Sequence, residues 1–392
     1  MRACVAMNAY VDVLRSATAR RLVAATGTGK FGFAAFPLAT VLLAHGESGS
    51  FVDAGLAAGA WGIGGMLTAP IRGFFVDRYG PGIPLTVLTS VTFLAVAGLA
   101  TASDTTALMV FGALAGATAP PIVASIRPLW KHAVRGGLVR TAYAVDAILT
   151  EAAKICGPLI AAGAAAWSPQ IGVVAAGTLL ITASALLVVG PLAVPDPGLP
   201  GVANTRTAAR LRPALRLLLL ANVALGLCLG ALTVGLPARA AEHGSATDSG
   251  WLLTGLGLGS VLSGIWFGSQ RQGTTFRGYI AGFAWLGLAL AVAAALPVGL
   301  PLAGVLFIAG GAFAPITICL FELLDQHAPR GTEVSSLMWM VSSEELGIAL
   351  GAMLAGVQAQ GVGAGLVLIT AAVSAGAGAA VLAGGRRVLT WR

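Results

Sequence analysis

Six ionisable side chains stand inside long apolar runs of this chain: Lys30, Asp146, Glu151, Lys154, Glu344 and Glu345. If those runs are helices crossing a bilayer, a charge at mid-depth costs about 2.5–3.5 kcal/mol on insertion scales. Each then needs a pairing partner, a water-filled cavity or a function. At about 100° per residue, Asp146, Glu151 and Lys154 share one helix face with Gly157. Glu151 and Lys154 lie one turn apart and can touch. Four carboxylates against two lysines leave two acids without an evident partner. An unpaired carboxylate in a low dielectric tends to hold a proton. A carboxyl that alternates between protonated and lysine-paired states is the minimum equipment for proton coupling, and Glu151 and Glu345 are the leading carriers. Lys30 can meet Asp146 or Glu151, or can snorkel to the nearer surface. Glu345 shares a stripe with Ser342 and Trp339 that would suit a cavity wall. Glu344 shares its side with Gly347 and Gly351, as at a close helix contact. The sequence leaves open which of the two acids faces inward.

The elements that position these groups follow from composition. Hydrophobic residues make up 57% of the 392 and charged residues 10%, against about 25% charged in a soluble domain. The chain is therefore an all-α integral membrane protein. About 20 apolar residues are needed per crossing, and twelve candidate spans fit between residues 22 and 384. Trp167, Trp251 and Trp266 fall at span ends as interfacial anchors, whereas Trp61 and Trp339 lie mid-span and are candidate cavity aromatics. Pro120, Pro121 and Pro158 remove backbone donors and predict kinks.

The net charge of +8 is distributed by topology. Nearly all arginines, Arg72 among them, fall in the even-numbered loops and the tails. That asymmetry places both termini in the cytoplasm, so the positive excess implies no nucleic-acid partner. Cys4, Cys156, Cys228 and Cys319 are scattered without disulfide or metal spacing, and no phosphate loop or nucleophile elbow is present. Neither a cofactor nor an enzymatic activity is expected. The abundance of arginine over lysine, with much alanine, is the composition of a GC-rich bacterial genome.

Residues 1–21 lack the layout of a signal peptide and read as a cytoplasmic amphipathic segment. A first bundle of six helices occupies 22–190, a Pro/Gly-rich cytoplasmic linker 191–215, a second bundle 216–385, and a short tail 386–392. The two bundles repeat at an offset near 193 residues: Glu151 precedes Gly157 by six, as Glu345 precedes Gly351.

Between the second and third runs stands Gly73-Phe74-Phe75-Val76-Asp77-Arg78-Tyr79-Gly80, which reads as a loop of about ten residues turning the chain back. Its Gly73, Asp77, Arg78 and Gly80 form a pattern that resembles the loop after the second helix in the major facilitator superfamily. Gly157 and Pro158 in the fifth run resemble the helix-five motif of that superfamily's bacterial twelve-helix drug:proton antiporters. The resemblance implies two pseudo-symmetric six-helix halves and proton-driven export of a small organic compound by alternating access. It also implies a bacterial inner-membrane location and a monomer whose partners are substrate, protons and lipid. An importer of a small polar solute is the alternative within the same fold. A membrane enzyme or sensor that has borrowed the fold is the alternative outside it.

Overall fold

The computed structural model describes residues 13–134, 138–188, 213–269, 276–327 and 333–386. Within them the side chains of Asp77, Arg78 and Glu151 lie outside the described set. The first half comprises α1 (Ala17–Ser48), α2 (Phe51–Tyr79), α3 (Gly82–Ala100), α4 (Thr105–Thr118), α5 (Ile122–Ala133), α6 (Val139–Ala165) and α7 (Pro169–Val188). The second comprises α8 (Pro213–Ala241), α9 (Ser249–Ser269), α10 (Phe276–Ala294), α11 (Leu300–Gly310), α12 (Phe313–His327), α13 (Glu333–Gly361) and α14 (Ala364–Gly384), with a 3-10 turn at Ala246–Asp248. Eleven helical segments among the described residues are long and apolar enough to cross a membrane, α11 and α12 counting as one. Thr105–Thr118 is a shorter apolar helix.

Helix starts follow the local chemistry. Ser16, Ser50 and Asp104 cap α1, α2 and α4, each side chain accepting from the backbone N–H three residues on, which satisfies an otherwise orphan donor. Helix α1 consequently begins at Ala17, and Ala19 and Leu22 are buried. The boundary expected at residue 21 falls inside this helix. Helix α2 runs through the Gly73–Tyr79 motif to Tyr79, and the expected ten-residue loop shrinks to Gly80 and Pro81. The motif is compatible with helix until Gly80, whose φ of 71° is a conformation that glycine adopts without strain.

Helix α6 passes through Pro158 unbroken, whereas Pro120 and Pro121 do interrupt their run, separating α4 from α5. The prolines remove two backbone donors, and carbonyls must not remain unsatisfied in lipid. Neighbouring side chains supply donors. Thr68 Oγ1 reaches the Ala117 carbonyl at 2.7 Å and Thr92 Oγ1 the Thr118 carbonyl at 2.9 Å. An Arg72 amino group bonds the Ala119 carbonyl. The second half breaks at the equivalent place, between α11 and α12. There Trp285 Nε1 donates to the Ile308 carbonyl at 3.1 Å. Thr92 and Trp285 are 193 residues apart.

The same offset recurs in the packing. A Cβ on Gly157 would lie 2.5 Å from the Ala34 Cβ, and one on Gly351 would lie 2.3 Å from the Leu227 carbonyl oxygen. Ala34 and Leu227 are again 193 apart. Both glycines exist to let the helices touch backbone to backbone.

Candidate functional site

The halves meet mainly through two helix pairs, α2 with α13 and α6 with α9. A Cβ on Gly55 would stand 2.4 Å from the Ala352 carbonyl oxygen, and one on Gly356 would stand 2.3 Å from the Phe51 carbonyl oxygen. On the other pair, a Cβ on Gly250 would meet the Ala162 Cβ at 2.4 Å, and one on Gly257 the Lys154 carbonyl oxygen at 2.7 Å. Gln360 adds a polar tie, accepting from Ser50 Oγ at 2.7 Å and from Val52 N at 3.2 Å. These contacts run from one end of the bundle, where α1 joins α2 and α13 joins α14, to the middle of α6 and α9 at Lys154 and Gly257. Towards the other end, Leu67 and Ile71 of α2 and Trp339 of α13 are exposed.

Of the six charged side chains expected within spans, Lys30 and Asp146 come together inside the first half. Lys30 Nζ lies 2.8 Å from Asp146 Oδ1, with exposures of 7% and 14%. It also donates to the Asp146 carbonyl at 2.7 Å and to Thr150 Oγ1 at 2.5 Å. Lys30 therefore does not snorkel: its ammonium is turned onto α6. The second half has a neutral counterpart, in which Asn222 Nδ2 donates to the Met340 carbonyl at 2.8 Å and to Ser343 Oγ at 3.2 Å. Asp146 and Met340 are 194 residues apart, so both halves lean a polar side chain of their first helix on the same carbonyl of their fifth run.

Lys154 crosses between halves, donating to Ser260 Oγ at 3.1 Å. It also lies within electrostatic range of Glu344. Glu345 interacts electrostatically with Glu344 and with Arg72 of α2. Both acids are half-buried. Glu344 stands on the α13 side that packs on α8, where a Cβ on Gly226 would touch its carbonyl oxygen at 2.2 Å. Glu345 stands towards α2, its carbonyl oxygen 3.4 Å from a Cβ built on Gly62. A pair of acids on one half thus faces two cations, Lys154 and Arg72, on the other.

Arg72 departs from its expected place in an aqueous loop. It is 8% exposed, embedded in α2, and donates to Gly65 O at 3.0 Å as well as to Ala119 O. Its stem lies inside α2, so the guanidinium is held by the carbonyls described above rather than by water. Asn222 and Ser260 were also missed; their signal was a lone polar group in an apolar run, buried at 0% and 1% exposure. The Glu151 side chain, and those of Asp77 and Arg78, lie outside the described residues.

The two candidate aromatics differ. Trp61 is 4% exposed and stacks on Phe36, ring centroids 4.1 Å apart, with Phe33 edge-on at 5.9 Å. Its faces are covered by neighbours, which leaves little for a ligand. Trp339 is 49% exposed. Gly157 packs on α1 and Pro158 is buried beside Gly250 of α9. Among the described residues no group of three or more His, Cys, Asp or Glu side chains is placed to hold a metal.

Comparison with known proteins agrees with this architecture. An uncharacterised MFS-type transporter, y4rN, from Sinorhizobium fredii is 27% identical over 351 residues, covering 82% of this chain and 84% of that protein. The solved structure of a mutant of the nucleoside transporter NupG superposes with a TM-score of 0.74 at 12% identity, covering 95% of this chain and 100% of the other. A bacterial homologue of the human lysosomal transporter Spinster, in an inward-facing and occupied conformation, gives 0.73 at 14% identity over 95% and 98%. The sequence profile of the Major Facilitator Superfamily matches residues 22–352, and the chain belongs to that family of transporters.

Proposed function

We propose that this transporter exports a small organic compound in exchange for protons, by alternating access between two halves of six spans each. The broken pair α4 and α5 supplies the twelfth span. With both termini in the cytoplasm of a bacterial cell, the joined end of the bundle is the outer one and the arrangement faces inward. The protein works as a monomer in the inner membrane.

The support for this reading is the seam between the halves: Lys154 crosses it to Ser260, the Glu345 backbone lies against Gly62 of α2, and Glu344 and Glu345 are within electrostatic reach of Lys154 and Arg72 respectively. An ionised carboxylate there attracts the opposite half, whereas a protonated one does not. The attraction between unlike charges is weak in water and strong in a low dielectric, so proton occupancy changes the balance between the two packings. Proton loss to the cytoplasm frees the acids to receive an amphipathic substrate, and proton entry from outside displaces it. Glu151 belongs to the same set as a carrier on α6. Lys30 and Asp146 fix α1 to α6 as one body, while the exposed Trp339 offers an apolar face to the substrate.

The test is proton release. Purified protein is reconstituted into liposomes loaded with a pH-sensitive dye, and ethidium and a panel of cationic antibiotics are added outside. Antiport predicts a substrate-dependent change in internal pH that ionophores collapse. Uptake that leaves internal pH unchanged refutes proton exchange, and a pH change of the opposite sign indicates co-transport of an imported solute.

A further inference from the structure

The break at Pro120–Pro121 is covered from three directions, but only one of the donors is charged. Thr68 and Thr92 hold the Ala117 and Thr118 carbonyls, and these carbonyls end α4. The Ala119 carbonyl lies on the joint itself, where the backbone leaves helical geometry with φ −48° and ψ 121°. We propose that Arg72 is a positioning residue for transport, the pin of a hinge at Ala119–Pro121 about which α5 moves relative to α4.

Three features support this. The guanidinium spans the two helices, one amino group on Gly65 O of α2 and the other on Ala119 O, so it fixes the joint to the very helix that contacts α13. Its Nε has no hydrogen-bond partner, which leaves the group held by its fork alone and able to swing. The second half repeats the break but not the pin. The residue 193 positions after Arg72 is Ile265, which is 67% exposed. A cation is therefore not needed merely to tolerate such a break in this fold.

The consequence lies in what α5 carries. Its buried Ile122, Ile126 and Trp130 belong to the common core, and the helix packs on α1 and α6. Those two helices hold Lys30 and Asp146. A shift of α5 about the joint is transmitted to the pair that ties them. Arg72 also lies on the helix that the opposite half touches at Glu345, whose carbonyl oxygen is 3.4 Å from a Cβ built on Gly62 of α2.

Hydrogen–deuterium exchange of the full chain in detergent, read by mass spectrometry, tests the hinge without needing a substrate. Arg72→Ala should raise exchange in the first turns of α5 about tenfold, the loss of one charge-assisted hydrogen bond, while residues 105–116 of α4 stay unchanged. In a Pro120→Ala/Pro121→Ala background, where backbone donors can close the gap, the same substitution should have no effect on α5. An equal rise throughout the first half, or the same rise with and without the prolines, assigns Arg72 to general packing and overturns the proposal. If Arg72→Ala cannot be purified, Arg72→Lys decides. A single ammonium cannot bridge both carbonyls, so a smaller rise confined to α5 is expected, and no rise contradicts the hinge.

Discussion

Lys154 of the first half donates a hydrogen bond to Ser260 of the second, 3.1 Å away, although each residue stands in an apolar helix where no charge would settle unaided. A hydrogen bond to a charged group is worth about 1.5–3 kcal/mol when buried. Ser260→Ala should therefore shift the protein away from the conformation joined at the Gly55–Gly356 end. Spin labels at residues near that end would record the change as a longer interhalf distance. An unaltered distance distribution would show that Lys154 spans the halves without holding them.

The Lys30–Asp146 pair makes a different forecast, because it lies within one half. Removing one partner of a buried pair leaves the other charge uncompensated, at a cost of about 3–5 kcal/mol. Asp146→Leu and Lys30→Met should each lower the thermal unfolding midpoint strongly. The double variant should recover most of the loss. Additive losses would mean that the two residues act independently.

The tryptophans separate by packing. Trp61→Ala removes a side chain stacked on Phe36 and should cost about 3–5 kcal/mol. Trp339→Ala changes a half-exposed site and should leave stability within about 0.5 kcal/mol, while altering substrate binding. The opposite ranking in thermal unfolding would place Trp339, not Trp61, in the core.

Close backbone contact between halves predicts a glycine effect. The Gly55 position leaves 2.4 Å to the Ala352 carbonyl oxygen, so Gly55→Ala must push α2 and α13 apart. Cysteines introduced at that end should then react faster with a membrane-impermeant maleimide. Gly73→Ala meets nothing within 4 Å and serves as the control. Equal labelling of the two variants would indicate that the helices do not close at Gly55.

At the surface, Glu242 gives a pH dependence. Burial pushes its carboxyl up, but the Ala364 N–H and the Arg239 guanidinium outweigh it and hold the group below its ordinary 4.5. Arg239 lies 2.8 Å from it, and the Ala364 N–H donates at 2.9 Å. A carboxylate depressed in the folded state contributes stability above its unfolded value and loses it as pH falls through the folded one. The unfolding midpoint should therefore drop as pH falls below 4.5, and Glu242→Gln should flatten that drop. A variant with an unchanged acid limb would remove Glu242 from the account.

Much of this was legible in the sequence because lipid leaves few choices. Runs of uniform apolarity had to be helices, and charges within them had to find partners, as Lys30 found Asp146. The repeat was legible too, since Gly157 and Gly351 do the same packing job in each half. Arg72 was not. Charge counting sends an arginine at the end of an apolar run into water, and its acceptor lies 47 residues away on another helix. The signal was Pro120–Pro121, two missing donors inside a span that some neighbour had to replace. The second break had a weaker signal, Gly310 and Gly311 followed by a single proline, Pro315, in the first turn of α12, where a missing N–H is tolerated. Ser260 and Lys154, 106 residues apart, are joined by the docking of the halves, which no local pattern encodes.

The central claim, that a carboxyl on α13 carries the coupling proton, is tested most directly by comparing two modes of transport in one variant. Glu345→Gln and Glu344→Gln are reconstituted beside the unaltered protein, and ethidium and the cationic antibiotics are followed with and without an imposed proton gradient. If an α13 carboxyl is the carrier, at least one substitution abolishes gradient-driven uphill movement yet leaves substrate exchange at zero gradient intact. If both variants still concentrate substrate as the unaltered protein does, the two acids serve structure alone and the claim that α13 carries the proton fails.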